Sequence, residues 1–419
     1  MNLKKKGWLK EFLNKKSEFY SSADKIKEFF KGQHPDQALY AMIQPTGIMY
    51  GYPVGLKEDS IESSNGQENI KLLLIESLLD SYLLIKIGEL GKNMDFASVI
   101  TKFAEELAQY YNSVFPDVHT SATSLFSRKK SCEEVIEIIL EKRLKSRSSS
   151  TNFWKGFFNN SMLFLDVYFF RYWAQAGHDQ LIVDYIKSQK QDIQISVVKV
   201  MSAAAHSNKS IEPEEEKLFL YFIDSQNFSS DQKKVCKDFF KNGVLIEELP
   251  VPIDNSWILK KYFTELAILT TWADMNLENI ELNFLKEFNK KMDLSEDDFT
   301  NSFVAVEGFV LEYWKELEKL QSHQEYIKVS EKYIAQLGSI IGKFEDRLTG
   351  EIKSRGKLTK LIHKANTENL SDDEKEYIRL ELITCIETLP TLDIISLPKR
   401  FLTLDNLMKI LPKNIFKNV

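Results

Sequence analysis

The stretch "HSNKSIEPEEEKLFLYF", His206–Phe222, is matched in pattern by "WADMNLENIELNFLKEF", Trp272–Phe288, in a gapless register 66 residues later. The two share little identity. What they share is physical character: Asn208 pairs with Asp274, Ile211 with Leu277 and Glu215 with Glu281, while Leu218, Phe219 and Phe222 pair with Phe284, Leu285 and Phe288. The register extends upstream, where Val197 and Val200 meet Phe263 and Leu266, and downstream, where "QNFSSDQ" meets "MDLSEDD". Apolar residues at i, i+1 and i+4 make one stripe on a helix. Each copy therefore reads as helix, short loop, helix, polar turn, helix. Pro213 falls in a first helical turn, where its missing N–H costs nothing. Ser229 with Gln232 forms a capping-box signature for the next helix, and Ser295 with Asp298 forms a weaker one. A unit this small cannot bury its apolar face alone, and duplication lets two such units cover each other.

The bulk composition agrees with a helical chain. At 419 residues, two or three domains are expected. Hydrophobic residues make up 43%, whereas Gly (16) and Pro (10) are scarce, a mix that favours helices. The fold class expected is all-α, a multi-helix bundle containing the tandem repeat. The net charge of −6 gives no basic footprint for DNA. Three scattered cysteines and no CxxC spacing point away from a disulfide framework or zinc cluster and toward a reducing cytoplasm. No metal-hydrolase, phosphate-loop or nucleophile-elbow motif occurs, so a non-enzymatic role is expected.

The chain divides into four expected regions. Residues 1–69 hold N-terminal amphipathic helices and a long loop. Trp8, Leu9, Phe12 and Leu13 share one face with lysines around it, which reads as docking on the protein's own body or lying on a membrane surface. Residues 32–69 contain three of the ten prolines and five of the sixteen glycines, and read as loop. Residues 70–190 read as a helical bundle, with Glu76 and Asp80 on the solvated edge of an apolar helix and Ser148–Ser150 as a linker. Ten aromatics between Phe153 and Trp173 suggest a buried helix, interrupted by Asp166 and Arg171. Residues 191–310 hold the repeat. Residues 311–419 hold a long helix running from Phe309 toward Gly350, a helix capped by Ser371 and Glu374, and a Pro-punctuated C-terminal segment. No segment is apolar and long enough for an evident membrane span.

Ala273, Asp274, Leu277 and Glu281 in the second copy, after a helix of small residues, resemble the pattern of the tellurite-resistance B-like (TerB-like) fold, an all-helical family. The first copy carries Ser207, Asn208, Ile211 and Glu215, and the glycine usual after the aspartate is replaced by Lys209 and Met275. That resemblance implies a metal-responsive stress module as one alternative, with Asp274, Glu278 and Glu281 as ligands for a divalent cation. A calcium loop counted from Asp274 has Asn276 and Glu278 at positions 3 and 5, but it has Asn279 where glycine is needed and Leu285 where a bidentate glutamate is needed.

The C-terminal segment "ETLPTLDIISLPKRFLTLDNLMKILPKNIF" places Pro390, Pro398, Phe401, Leu407, Lys409, Leu411, Pro412, Ile415 and Phe416 in a pattern similar to the leucine-zipper/EF-hand transmembrane (Letm) family. In that family the segment includes a membrane span and precedes a ribosome-binding-like domain. Here Asp393, Lys399, Arg400 and Asp405 interrupt it. With the repeat and the opening "GWLKEFL", the layout resembles Letm-related biofilm-associated proteins. The resemblance implies a non-catalytic protein tied to the envelope or to surface growth. Its implied partner is a protein, such as the ribosome, or the inner-membrane surface, contacted peripherally through the N- or C-terminal segment, with no cofactor.

Overall fold

The computed structural model describes residues 2–22, 34–50, 66–90, 95–115, 130–145, 160, 162–207, 211, 213–226, 228–252, 255–272, 279–314, 323–365, 368–413 and 415. These residues form 17 α-helices, three short 3₁₀ turns and no strands. The fold is all-α, a multi-helix bundle. The chain divides into two compact units, Met1–Lys199 with Lys217–Asn242, and Val200–Glu216 with Gly243–Val419.

The first unit contains α1 (Trp8–Ser22), α2 (Pro35–Ile43), α3 (Gly66–Leu90), α4 (Phe96–Val114), α5 (Cys132–Lys145), α6 (Leu163–Ala176), most of α7 (Gln180–Ala205) and of α8 (Pro213–Ser225), and α9 (Ser230–Asn242). α3 is the central helix and packs on α2, α4 and α6. Tyr82, Phe103, Tyr110, Phe170 and Trp173 form a continuous aromatic cluster there. The region read as loop thus contains α2 and two 3₁₀ turns, Gln44–Thr46 and Ile48–Tyr50. The proline responsible, Pro35, sits at the start of α2, where it is tolerated. Ser148–Ser150 and the N-terminal part of the aromatic stretch lie outside the described residues.

α1 docks on its own unit. Trp8, Leu9, Phe12 and Leu13 are all buried. Glu137 of α5 accepts the N–H groups of Gly7 and Leu9 at 3.0 and 2.9 Å, which satisfies donors that a helix start leaves open. Glu76 and Asp80 are not a solvated edge. Lys16 pairs with Glu76, and the Tyr20 hydroxyl donates to Asp80 at 2.6 Å. Both pairs step by one helical turn, so α1 and α3 are laced along one seam. Burial raises Asp80 to about 6. Four of the N-terminal lysines are engaged by glutamates: Lys4 with Glu68, Lys6 with Glu134, Lys15 with Glu11 and Lys16 with Glu76.

The second unit contains α10 (Trp257–Thr271), α11 (Asn279–Lys291), α12 (Glu296–Glu312), α13 (His323–Gly342), α14 (Glu345–Ser354), α15 (Gly356–Ala365), α16 (Asp372–Ile386) and α17 (Leu404–Ile410). The long helix expected from Phe309 toward Gly350 is not continuous. α12 ends at Glu312, and α13 ends at Gly342 before α14 opens at Glu345. α10 is buried on every side from Ile258 to Thr271, with α11 and α12 packed on it.

The two copies of the sequence pattern share their helix boundaries under the same shift. α7 ends at Ala205 and α10 at Thr271; α8 spans Pro213–Ser225 and α11 spans Asn279–Lys291; α9 begins at Ser230 and α12 at Glu296. Both serines cap as expected: Ser229 exchanges bonds with Gln232, and Ser295 with Asp298, where both limbs of the box are present. Phe219 and Phe222 are buried in the first copy and Leu285 and Phe288 in the second. Phe219 stacks on Phe240 at 4.0 Å.

Candidate interaction surface of the C-terminal arm

After α16 the chain runs through Leu389–Leu402 without a regular helix and then forms α17. Leu389, Leu392, Ile395, Leu397, Phe401 and Leu402 are all buried, so hydrophobic burial holds the arm down. Its backbone is fixed by side chains, because irregular chain has no ladder to satisfy it. Glu312, the last residue of α12, accepts the N–H groups of Arg400 and Phe401 at 2.8 and 3.3 Å. Glu387 accepts that of Leu397 at 3.3 Å. Arg379 donates to the carbonyls of Lys399 and Leu402 at 2.6 and 3.2 Å. Burial raises Glu312 and Glu387 from the ordinary glutamate value, and the accepted N–H bonds offset part of that rise.

The Letm-like residues divide into two sets. Pro398 is buried and reaches Gly308 of α12, where an added Cβ would lie 3.1 Å from its Cδ. Phe401 is buried edge-on to Tyr333 of α13, with ring centres 5.6 Å apart. Pro390 is half-buried in the turn after α16. Pro398 and Phe401 seat the arm. Lys409 is exposed and Pro412 half-buried, and both line a groove of about 640 Å³ between α13 and α17. Ile334, Ala335 and Ile410 form its apolar part, with Glu331 on α13 and Lys409 on α17 as its charges. The two helices approach closely because residue 338 is glycine: a Cβ there would come within 3.3 Å of the Ile410 carbonyl. Phe416 lies outside the described residues.

Of the residues read as metal ligands, Asp274 and Glu278 lie outside the described residues. Glu281 is buried at the start of α11 and is engaged in an interaction there. Among the described residues no group of three or more His, Cys, Asp or Glu side chains is arranged to hold a metal ion. No described helix is long and apolar enough to cross a membrane.

The interior of the second copy carries polar residues that sequence reasoning missed. Lys261 on α10 is buried and donates to the Asp298 carbonyl at 2.6 Å and to Asn301 Oδ1. Burial lowers its ammonium to about 8. Glu265 accepts from Ser302 at 3.1 Å. Glu307 on α12 is 0% exposed, and neither carboxylate oxygen has a hydrogen-bond partner among the described residues. Lys332 of α13 comes within 3.6 Å of it, too far to donate, so it acts as a neighbouring charge. The Lys332 ammonium lies over the Trp272 and Phe303 rings at 5.7 and 5.3 Å. A signal for these residues was present in the repeat. Under the same shift Lys261 stands opposite Ile195, and Glu307 opposite the exposed Lys241. No family model, curated protein or solved structure matches this chain.

Proposed function

We propose that this chain is a non-catalytic helical interaction protein, related to the Letm-related biofilm-associated family, whose C-terminal arm presents a partner-binding groove. The observation that carries this reading is the division of labour within the arm. Pro398 and Phe401 are consumed in seating it, whereas Lys409 and Pro412 are left at an open groove. A pattern whose residues served packing alone would be expected to bury both sets. The groove offers apolar contact between one carboxylate and one ammonium, which suits an amphipathic protein segment. The tight docking of α1 and the pairing of four lysines on or just before it favour the arm over the N-terminal helix as the binding element.

The partner is proposed to be the ribosome, with the inner-membrane surface as the alternative. Purified protein is mixed with ribosomes and separately with inner-membrane vesicles, and each is sedimented. Co-sedimentation with ribosomes that Lys409→Glu abolishes supports the reading. Binding to vesicles alone moves the partner to the membrane surface. Binding to neither, or binding indifferent to Lys409→Glu, overturns it.

A further inference from the structure

We propose that Glu307 is a proton-operated latch: in its neutral form it holds the C-terminal arm seated on α12 and α13, and its ionisation loosens that seat. The inference is independent of which partner the groove takes. It begins with an arrangement that is costly for a carboxylate. Glu307 is fully buried with neither oxygen hydrogen-bonded to a described residue, and such a group is stable only when neutral or paired. Its neighbouring cation among the described residues, Lys332, has a side chain 46% exposed, so the ammonium has a path to water and is not locked to the carboxyl.

The groups around it exclude a simpler pairing. From α10, Lys261 is spent on Asp298 and Asn301, and Glu265 on Ser302. On α12 itself, Glu312 is held by the arm. From the arm, Arg400 lies at 3.7 Å from Glu312. From α13, Tyr333 turns its hydroxyl to Gly308, and that hydroxyl is also buried without a partner. Among the described residues Lys332 is the cation that faces Glu307. Consistent with this geometry, burial raises the Glu307 carboxyl to about 8, with Lys332 opposing the rise.

The coupling to the arm is one residue long. Gly308 follows Glu307, and a Cβ there would lie 2.9 Å from the Tyr333 hydroxyl and 3.1 Å from Pro398. Tyr333 in turn packs on Phe401. Water drawn in along Lys332 to an ionised Glu307 enters between α12 and α13, one residue from where Pro398 and Tyr333 meet Gly308. The corresponding residue of the first copy, Lys241, is exposed, so the latch is peculiar to the second.

The test is hydrogen exchange of backbone amides in Leu397–Leu411, corrected for the intrinsic pH dependence of exchange. Between pH 5 and pH 8.5 protection in the wild type should fall by roughly tenfold or more. Glu307→Gln should remove most of that fall, leaving only the part due to Glu312 and Glu387, which hold the arm's backbone directly. Lys332→Gln removes the opposing charge and should carry the fall to higher pH, which keeps the proposal testable should Glu307→Gln fold poorly. Protection independent of pH in the wild type, or an unchanged fall in Glu307→Gln, overturns it.

Discussion

Arg143 and Asp166 form a two-point ion pair inside the first unit, with Nε and Nη2 of the guanidinium at 2.9 and 2.8 Å from the two carboxylate oxygens. Asp166 is fully buried. The Tyr111 hydroxyl donates to it at 3.3 Å, and Lys190 stands 4.0 Å away. Both cations also lie over the Phe115 ring, Arg143 at 4.6 Å and Lys190 at 3.8 Å from its centre. The pair ties α5 to α6. Removing one partner strands the other charge in the core, which costs about 3–5 kcal/mol. Arg143→Met is therefore expected to destabilise the protein by that amount in urea denaturation followed by tryptophan fluorescence. Arg143→Lys should recover only part, because an ammonium cannot make the planar two-point contact. The double variant Arg143→Met, Asp166→Leu should be less destabilised than the single one.

Gly308 makes a second prediction. Glycine to alanine within a helix ordinarily stabilises by about 0.5–1 kcal/mol. Here the new methyl would lie 2.9 Å from the Tyr333 hydroxyl and 3.1 Å from Pro398. Overpacking of this kind costs about 1–3 kcal/mol and should win. Tyr333→Phe removes the closer obstacle and gives up no hydrogen bond, since that hydroxyl has none. Adding it to Gly308→Ala should recover part of the loss, and a thermal-melt double-mutant cycle should report coupling between the two sites.

The caps of the repeat are separable from its core. Ser295 accepts from the Asp298 N–H at 3.0 Å while Asp298 accepts from the Ser295 N–H at 3.1 Å. Ser295→Ala should cost about 1 kcal/mol. Ser229→Ala should cost a similar amount, because its bonds with Gln232 are equivalent. Unequal losses in urea titration would show that the two caps are not energetically alike.

Helix positions were legible where local chemistry sets them. Pro213, Ser229, Ser295 and Ser371 mark starts through effects confined to one turn, and all four stand where they were read. The buried charges were not legible, because their roles depend on partners far away in sequence. Asp166 read as a break in an apolar run; its partner is 23 residues distant. Glu76 and Asp80 read as a wet edge; each meets its partner on α1 across 60 residues. The groove was half legible. The spacing of Pro398, Phe401, Lys409 and Pro412 marked the arm, but only packing separates the residues that seat it from those left at its surface.

Lys261 gives the last prediction, with a sign opposite to that of Glu307. Burial depresses its folded value to about 8 from 10.5, so the unfolded chain binds the extra proton through that interval. Stability from this group is fully present above the unfolded value and is lost as pH falls through about 8. For Glu307, raised from 4.5 to about 8, stability is fully present below 4.5 and is lost as pH rises to about 8. Melting temperatures of the wild type minus those of Lys261→Met should therefore climb between pH 8 and pH 10. Lys261→Met also takes one donor from the Asp298 carbonyl and the Lys261 donor from Asn301 Oδ1, so it should be the less stable protein throughout. A difference that stays level with pH would mean that Lys261 is charged in the fold and that its two acceptors stabilise the ammonium as well as water does.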